Sequence, residues 1–188
     1  MTYQVDVRGT KDGRYSISRW RGCVRINDNL EQKTIYALKP IRHQVVHLTR
    51  IEKFALTADD KYLIVLNLAK LEIYEFASLL QNPKPDITVD NNVQPVGAQN
   101  LDPFCRWLKI TKDGKFGMMA GALVLRIFAI PSAQIIFTIY PQVSQFHEVN
   151  MVKAKDQNSL DYQIFTSEAN HVSMYRLSDI LKQANFQG

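Results

Sequence analysis

An all-β chain, built from about four copies of one antiparallel four-stranded unit with the last copy incomplete, is what the sequence predicts. Three observations carry that prediction. One six-residue pattern recurs as TKDGRY at 10–15, TADDKY at 57–62 and TKDGKF at 111–116. Each copy follows an alternating stretch that reads as a strand, at 4–8, 53–56 and 107–110. Downstream spacing is also fixed: twelve residues separate Tyr15 from Asn27, Tyr62 from Tyr74 and Phe116 from Phe128.

The shared pattern is a tight turn, in which Asp bonds nearby backbone and Gly or Asp takes the awkward dihedrals. Such a turn joins two antiparallel strands. The strand after it is apolar on both faces, most plainly in YLIVL at 62–66, which suits a sheet covered on both sides. A third strand alternates identically in each unit, with Val24 and Ile26, Leu71 and Ile73, and Leu125 and Ile127. Apolar runs at 34–38, 86–89 and 135–140 supply a fourth. A divergent last unit has Lys155 and Asp156 at its turn, Tyr162 on its second strand, and Val172, Met174 and Tyr175 on its third. Intervals of 47, 54 and 43 residues between units fit a β-propeller blade, for which about 40–45 residues is usual. A blade buries its faces against its neighbours around an axis.

The chain resembles the WD-repeat propeller family, in which a turn reading roughly Ser/Thr-Pro-Asp-Gly links the first two strands of each blade. The likeness extends over nearly the whole chain. The Trp-Asp pair that ends the third strand in that family stands here as Asn27-Asp28, Tyr74-Glu75, Phe128-Ala129 and Tyr175-Arg176, and the opening Gly-His pair is absent. The resemblance implies scaffolding. Blades fall at about 2–44, 46–93, 104–141 and 146–188, with a connecting loop at about 90–103. Propellers have about 4–8 blades. The expectation is therefore an incomplete arc, part of a larger propeller or completed by a partner chain. Its last blade stops after the third strand, with a polar tail at 181–188.

Composition narrows the class further. The 188 residues are 46% apolar and 22% charged, which excludes a wholly disordered or collagen-like chain. Two cysteines, Cys23 and Cys105, exclude a disulfide scaffold and a multi-cysteine zinc site; they point to a reducing, cytoplasmic setting. The apolar stretches 62–69 and 116–125 fall short of the roughly 18 residues of a membrane span. The net charge of +5 is uneven. Residues 1–50 hold ten Lys/Arg against four Asp/Glu, whereas 51–100 balance at −3, 101–150 at +2 and 151–188 at zero.

The first blade accordingly carries the candidate partner-binding patch: Arg14, Arg19, Trp20, Arg21 and Arg25, on its second and third strands and the turn between them. Arginines offer bidentate donors to carboxylate or phosphate, and an exposed Trp offers a stacking face. The plainer reading lays the arginines along a blade edge. Lys39, Arg42 and His43 form a weaker patch.

Other motifs read as structure. His43 and His47 have the spacing of a zinc-binding helix, but Gln44 replaces the general-base Glu. In extended chain such a pair lies about 13 Å apart. Gly117 and Gly121 are expected to permit close blade-to-blade packing, and Cys23 and Cys105 to be buried thiols. Asp12, Asp59, Asp60 and Asp113 recur with the turns, so they serve the blade. The sequence has no phosphate-binding glycine loop or nucleophile elbow. The expectation is a protein that is not an enzyme, with no cofactor, metal or small-molecule substrate. It is a protein–protein interaction platform whose rigid blades and loops meet other protein chains in a larger assembly. The alternative is a module that binds RNA, an acidic protein segment or another anionic surface through the first-blade arginines.

Overall fold

A Thr, an Asp and an aromatic residue set the start of each of the first three sheets. Thr10, Thr57 and Thr111 each accept, at Oγ1, the backbone N–H of the aromatic five residues on, at 3.0, 2.9 and 3.1 Å. Their own N–H groups bond the same aromatic's carbonyl. Asp12, Asp59 and Asp113 accept the N–H of Arg14, Lys61 and Lys115. Bonds to Thr10 and Thr57 and to these N–H groups hold the carboxyls of Asp12 and Asp59 below the usual range. The fourth turn position has positive φ in all three copies, +71° at Gly13, +58° at Asp60 and +70° at Gly114. Glycine or aspartate recurs there because a bulkier L-residue is strained in that conformation.

The computed structural model describes residues 6–20, 22–39, 51–67, 70–86, 91–101, 105–154 and 161–186. The first sheet comprises β1 (Asp6–Gly9), β2 (Tyr15–Trp20), β3 (Cys23–Asp28) and β4 (Lys33–Leu38). The second comprises β5 (Ile51–Leu56), β6 (Tyr62–Asn67), β7 (Lys70–Glu75) and β8 (Gly97–Asn100), with α1 (Phe76–Gln81) between its last two strands. The third comprises β9 (Cys105–Ile110), β10 (Phe116–Gly121), β11 (Leu125–Ala129) and β12 (Ile135–Ile139). The fourth holds β13 (Glu148–Lys153), β14 (Tyr162–Glu168) and β15 (His171–Arg176), followed by α2 (Leu177–Gln183). Each sheet is an antiparallel meander in chain order, and the fourth has three strands among the described residues. The four form an open propeller-type arc.

Apolar residues on both faces of the middle strands hold the arc together. Leu63 and Val65 of β6 pack with Ile17, Val24 and Ile26 of the first sheet. Ile64 and Leu66, one residue out of phase, pack with Met119 and Phe128 of the third. Likewise Met118, Ala120 and Ile127 meet Val149, Met151 and Ile164 of the fourth. Period-two alternation thus gives one strand two cores.

Several expectations change in detail. Gly117 pairs directly with Phe128 across the β10–β11 ladder, and a Cβ there would lie 2.1 Å from the Phe128 ring. The glycine makes room for a ring of its own sheet, and that ring packs on the second sheet. The fourth strand of the second sheet lies at Gly97–Asn100, within the stretch read as a connecting loop. Of the run expected to form it, 87–89 lie outside the described residues. Between β7 and β8 the chain forms α1, whose Phe76 and Leu79 enter the first core. It then returns to pair with β4: Ala37 N–H donates to the Lys84 carbonyl and Lys84 N–H to the Ile35 carbonyl, both at 2.8 Å. Tyr36 Oη donates to Asn92 Oδ1 at 2.8 Å. The insertion therefore covers the outer edge of the first sheet, where an exposed strand invites mispairing.

The predicted polar tail begins inside α2, whose Leu177 and Ile180 are buried between the third and fourth sheets. Lys155 and Asp156 lie outside the described residues. Glu168, at the end of β14, accepts three backbone N–H groups from the β12–β13 loop: Gln142, Val143 and Ser144, at 3.0, 2.7 and 3.3 Å. Those bonds, Gln142's first, hold its carboxyl below the usual glutamate range against the opposing effect of burial. Among the described residues no helix is long and apolar enough to cross a membrane.

Candidate functional site

Among the described residues, the first-blade arginines are spread along the sheet. Arg14 and Trp20 flank the two ends of β2, about 20 Å apart at roughly 3.3 Å per residue. Arg14 lies over the Tyr15 ring, 5.1 Å from its centroid, and meets Asp28 Oδ2 at 3.4 Å. Burial pushes the Asp28 carboxyl up, but the N–H groups of Glu31 and Leu30, with Arg14, bring it below its usual value. Arg19 donates from Nε and Nη2 to Asp6 Oδ2 at 3.1 and 3.0 Å. Trp20 and Arg25 come together, with the guanidinium 5.6 Å from the indole centroid and the Trp 41% exposed. Arg21, Arg42, His43 and His47 lie outside the described residues. Cys23 and Cys105 are both buried, and burial pushes the Cys23 thiol up. Among the described residues no group of three His, Cys, Asp or Glu is placed to hold a metal.

A different site takes shape on the inner strands. β1, β5 and β9 are each the edge strand of their sheet. Together they line a groove of about 420 Å³. Asp6 and Arg8 reach it from β1, Lys53 from β5, and Arg106, Trp107 and Lys109 from β9. Its position follows from strand geometry. In β9, Cys105 pairs with Gly121 and Trp107 with Ala120, which leaves Arg106 unopposed in a bulge. In β5, Ile51 pairs with Asn67 and Lys53 with Leu66, which leaves Glu52 unopposed. Both bulges sit five residues before the turn threonine, at 52 against 57 and 106 against 111. A bulge re-aims the side chain it carries, and in β9 this delivers an exposed Arg to the groove.

The groove is positive because the one carboxylate among its described lining residues is already engaged. Asp6 is bonded by Arg19 and has the Lys53 ammonium at 3.9 Å. Arg8, Arg106 and Lys109 are exposed and make no ion pair among the described residues. Arg19, read from sequence as a partner anchor, is bonded to the groove's acid. Counting charge by quarter of the chain missed this site, since its cations come from three blades. They also stand at different repeat positions: two residues before the threonine for Arg8 and Lys109, four for Lys53 and five for Arg106. The available signal was the innermost strands compared with one another.

No protein-family model and no curated protein matches the sequence. Among solved structures, 619 chains match, a breadth that speaks for a common architecture and not for one activity. The crystal structure of the Saccharomyces cerevisiae Sqt1 superposes with a TM-score of 0.64 at 9% identity, covering 93% of this chain and 44% of that one. This chain spans less than half the length of that protein. Such a likeness shows the fold alone, an arc of β-propeller type.

Proposed function

We propose that the chain is a non-catalytic protein–protein interaction platform working within a larger assembly. The inner-strand groove is the observation that supports this reading most. It is concave, built on strands tied to packed sheets, and lined by Arg8, Arg106 and Lys109, which make no ion pair among the described residues. A rigid surface of that kind binds without the ordering cost of a mobile loop. Trp20 and Arg25 extend the proposed partner surface on the first blade, where aromatic and Arg anchors contribute most at protein interfaces. The fourth sheet offers β15 as the strand on which another protein segment continues the arc.

The test is purification of the chain from its native cells with crosslinking, followed by reconstitution with each recovered protein. A partner that binds at defined stoichiometry, and is weakened by Trp107→Ala or Trp20→Ala, is the expected result. A chain that remains alone on reconstitution rules the platform out.

A further inference from the structure

We infer that the groove between β1, β5 and β9 binds an extended acidic protein segment, one rich in Asp and Glu. This rests on the platform reading and names the chemistry of its partner. Among the described residues Arg8, Lys53, Arg106 and Lys109 line the groove with a single carboxylate, Asp6, which Arg19 already holds at 3.0 Å. A second anion entering the groove therefore meets cations that need little rearrangement to receive it. Arg106 offers a planar fork of donors suited to carboxylate, and its bulge position leaves the β9 ladder intact on either side. The lining strands are sheet edges, so an extended peptide has main-chain as well as side-chain partners there.

Nucleic acid fits less well. Trp107 is the indole at the groove, and it is half-buried and packed against the core shared by the third and fourth sheets, not offered as a stacking platform. Asp6 interrupts the cationic track that a continuous run of phosphates follows, whereas a peptide presents N–H groups beside its carboxylates and tolerates an acid. The volume of about 420 Å³ suits a few residues of chain and lies within the usual range for pockets, about 300–1,000 Å³.

The experiment is fluorescence anisotropy of a labelled oligo-glutamate, about twelve residues long, with the full chain. Binding is expected to weaken steeply as NaCl rises from about 50 to about 500 mM. The paired charge reversal Arg106→Glu with Lys109→Glu is expected to reduce affinity at least about 10-fold, in the range seen for close interfacial charges. Both residues are exposed, and circular dichroism checks that the variant stays folded. A control reversal, Lys33→Glu with Lys182→Glu, makes the same change in net charge away from the groove and is expected to leave affinity within about twofold, as exposed distant charges are screened.

Equal loss in both double variants, or none in the groove variant, overturns the proposal. So does an oligouridylate of similar length that binds more tightly than the peptide and displaces it. If a reconstituted protein partner is retained while oligo-glutamate fails to bind, the acidic-segment inference falls and the platform stands. If oligo-glutamate binds through the groove but no protein partner exists, the platform is what falls.

Discussion

At Asp60 two requirements meet in one side chain. The backbone there has φ of +58°, which Gly13 and Gly114 satisfy in the other copies by lacking a Cβ. Aspartate accepts the strain and uses its carboxylate, whose Oδ2 takes the Lys11 N–H from the first blade at 2.7 Å. The turn type was legible from the Asp-Gly and Asp-Asp pairs, because local dihedral preference is a property of those residues alone. The bond to Lys11 was not, since it joins positions 49 apart in sequence. Glu168 makes the same point with a measurable consequence. Its folded carboxyl titrates below the usual value near 4.5, so its contribution is fully present above that pH and is lost as pH falls through the lower folded value. Glu168→Gln is expected to melt at a lower temperature than the parent at pH 7, with the gap closing toward pH 3. Thermal scans across that range check it; a gap that does not change with pH contradicts the three-N–H clamp.

At the level of elements, strands that repeat were readable and the insertion was not. Alternation and fixed spacing mark β6, β10 and their neighbours, because each residue's face is set by a period of two. α1 has a counterpart in α2, which follows the third strand of the fourth sheet as α1 follows that of the second, but the stretch that then pairs with β4 rests on backbone groups around Lys84 that carry no sequence signature. α1 has six residues and α2 seven, each too short to show a convincing helical period. If the insertion does cover the edge of the first sheet, Lys84→Pro, which removes the N–H bonded to Ile35, should loosen β4 selectively. Amide exchange at Ala37 is expected to quicken while the β10–β11 ladder keeps its protection. Uniform acceleration over all four sheets contradicts a local edge role.

Across the whole molecule, stability is distributed among three seams. Each apolar cluster joins one adjacent pair of sheets, so the arc behaves as neighbours coupled in series. Phe128 is fully buried at the seam between the second and third sheets and also covers Gly117. Phe128→Ala is expected to cost about 3–5 kcal/mol, the usual range for a large aromatic removed from a core. Urea unfolding followed at Trp107, with Trp20 changed to Phe, measures it; a loss below about 1 kcal/mol shows that the seam does not depend on the ring. Sequence reading reached this scale through the repeat, which fixed the number of units and their order. It did not reach the groove, because that surface exists only once three inner strands are placed side by side.

The matched bulges at Glu52 and Arg106 also have a consequence for descent. A bulge residue has no register partner in the ladder, so the pairing of the strand does not fix which side chain it carries. Glutamate at one and arginine at the other show that opposite charges are tolerated at the same address. Duplication of such a unit copies the address along with the blade. Each copy can then drift in sign and size while its ladder stays fixed, and a lineage acquires new recognition without renegotiating its fold.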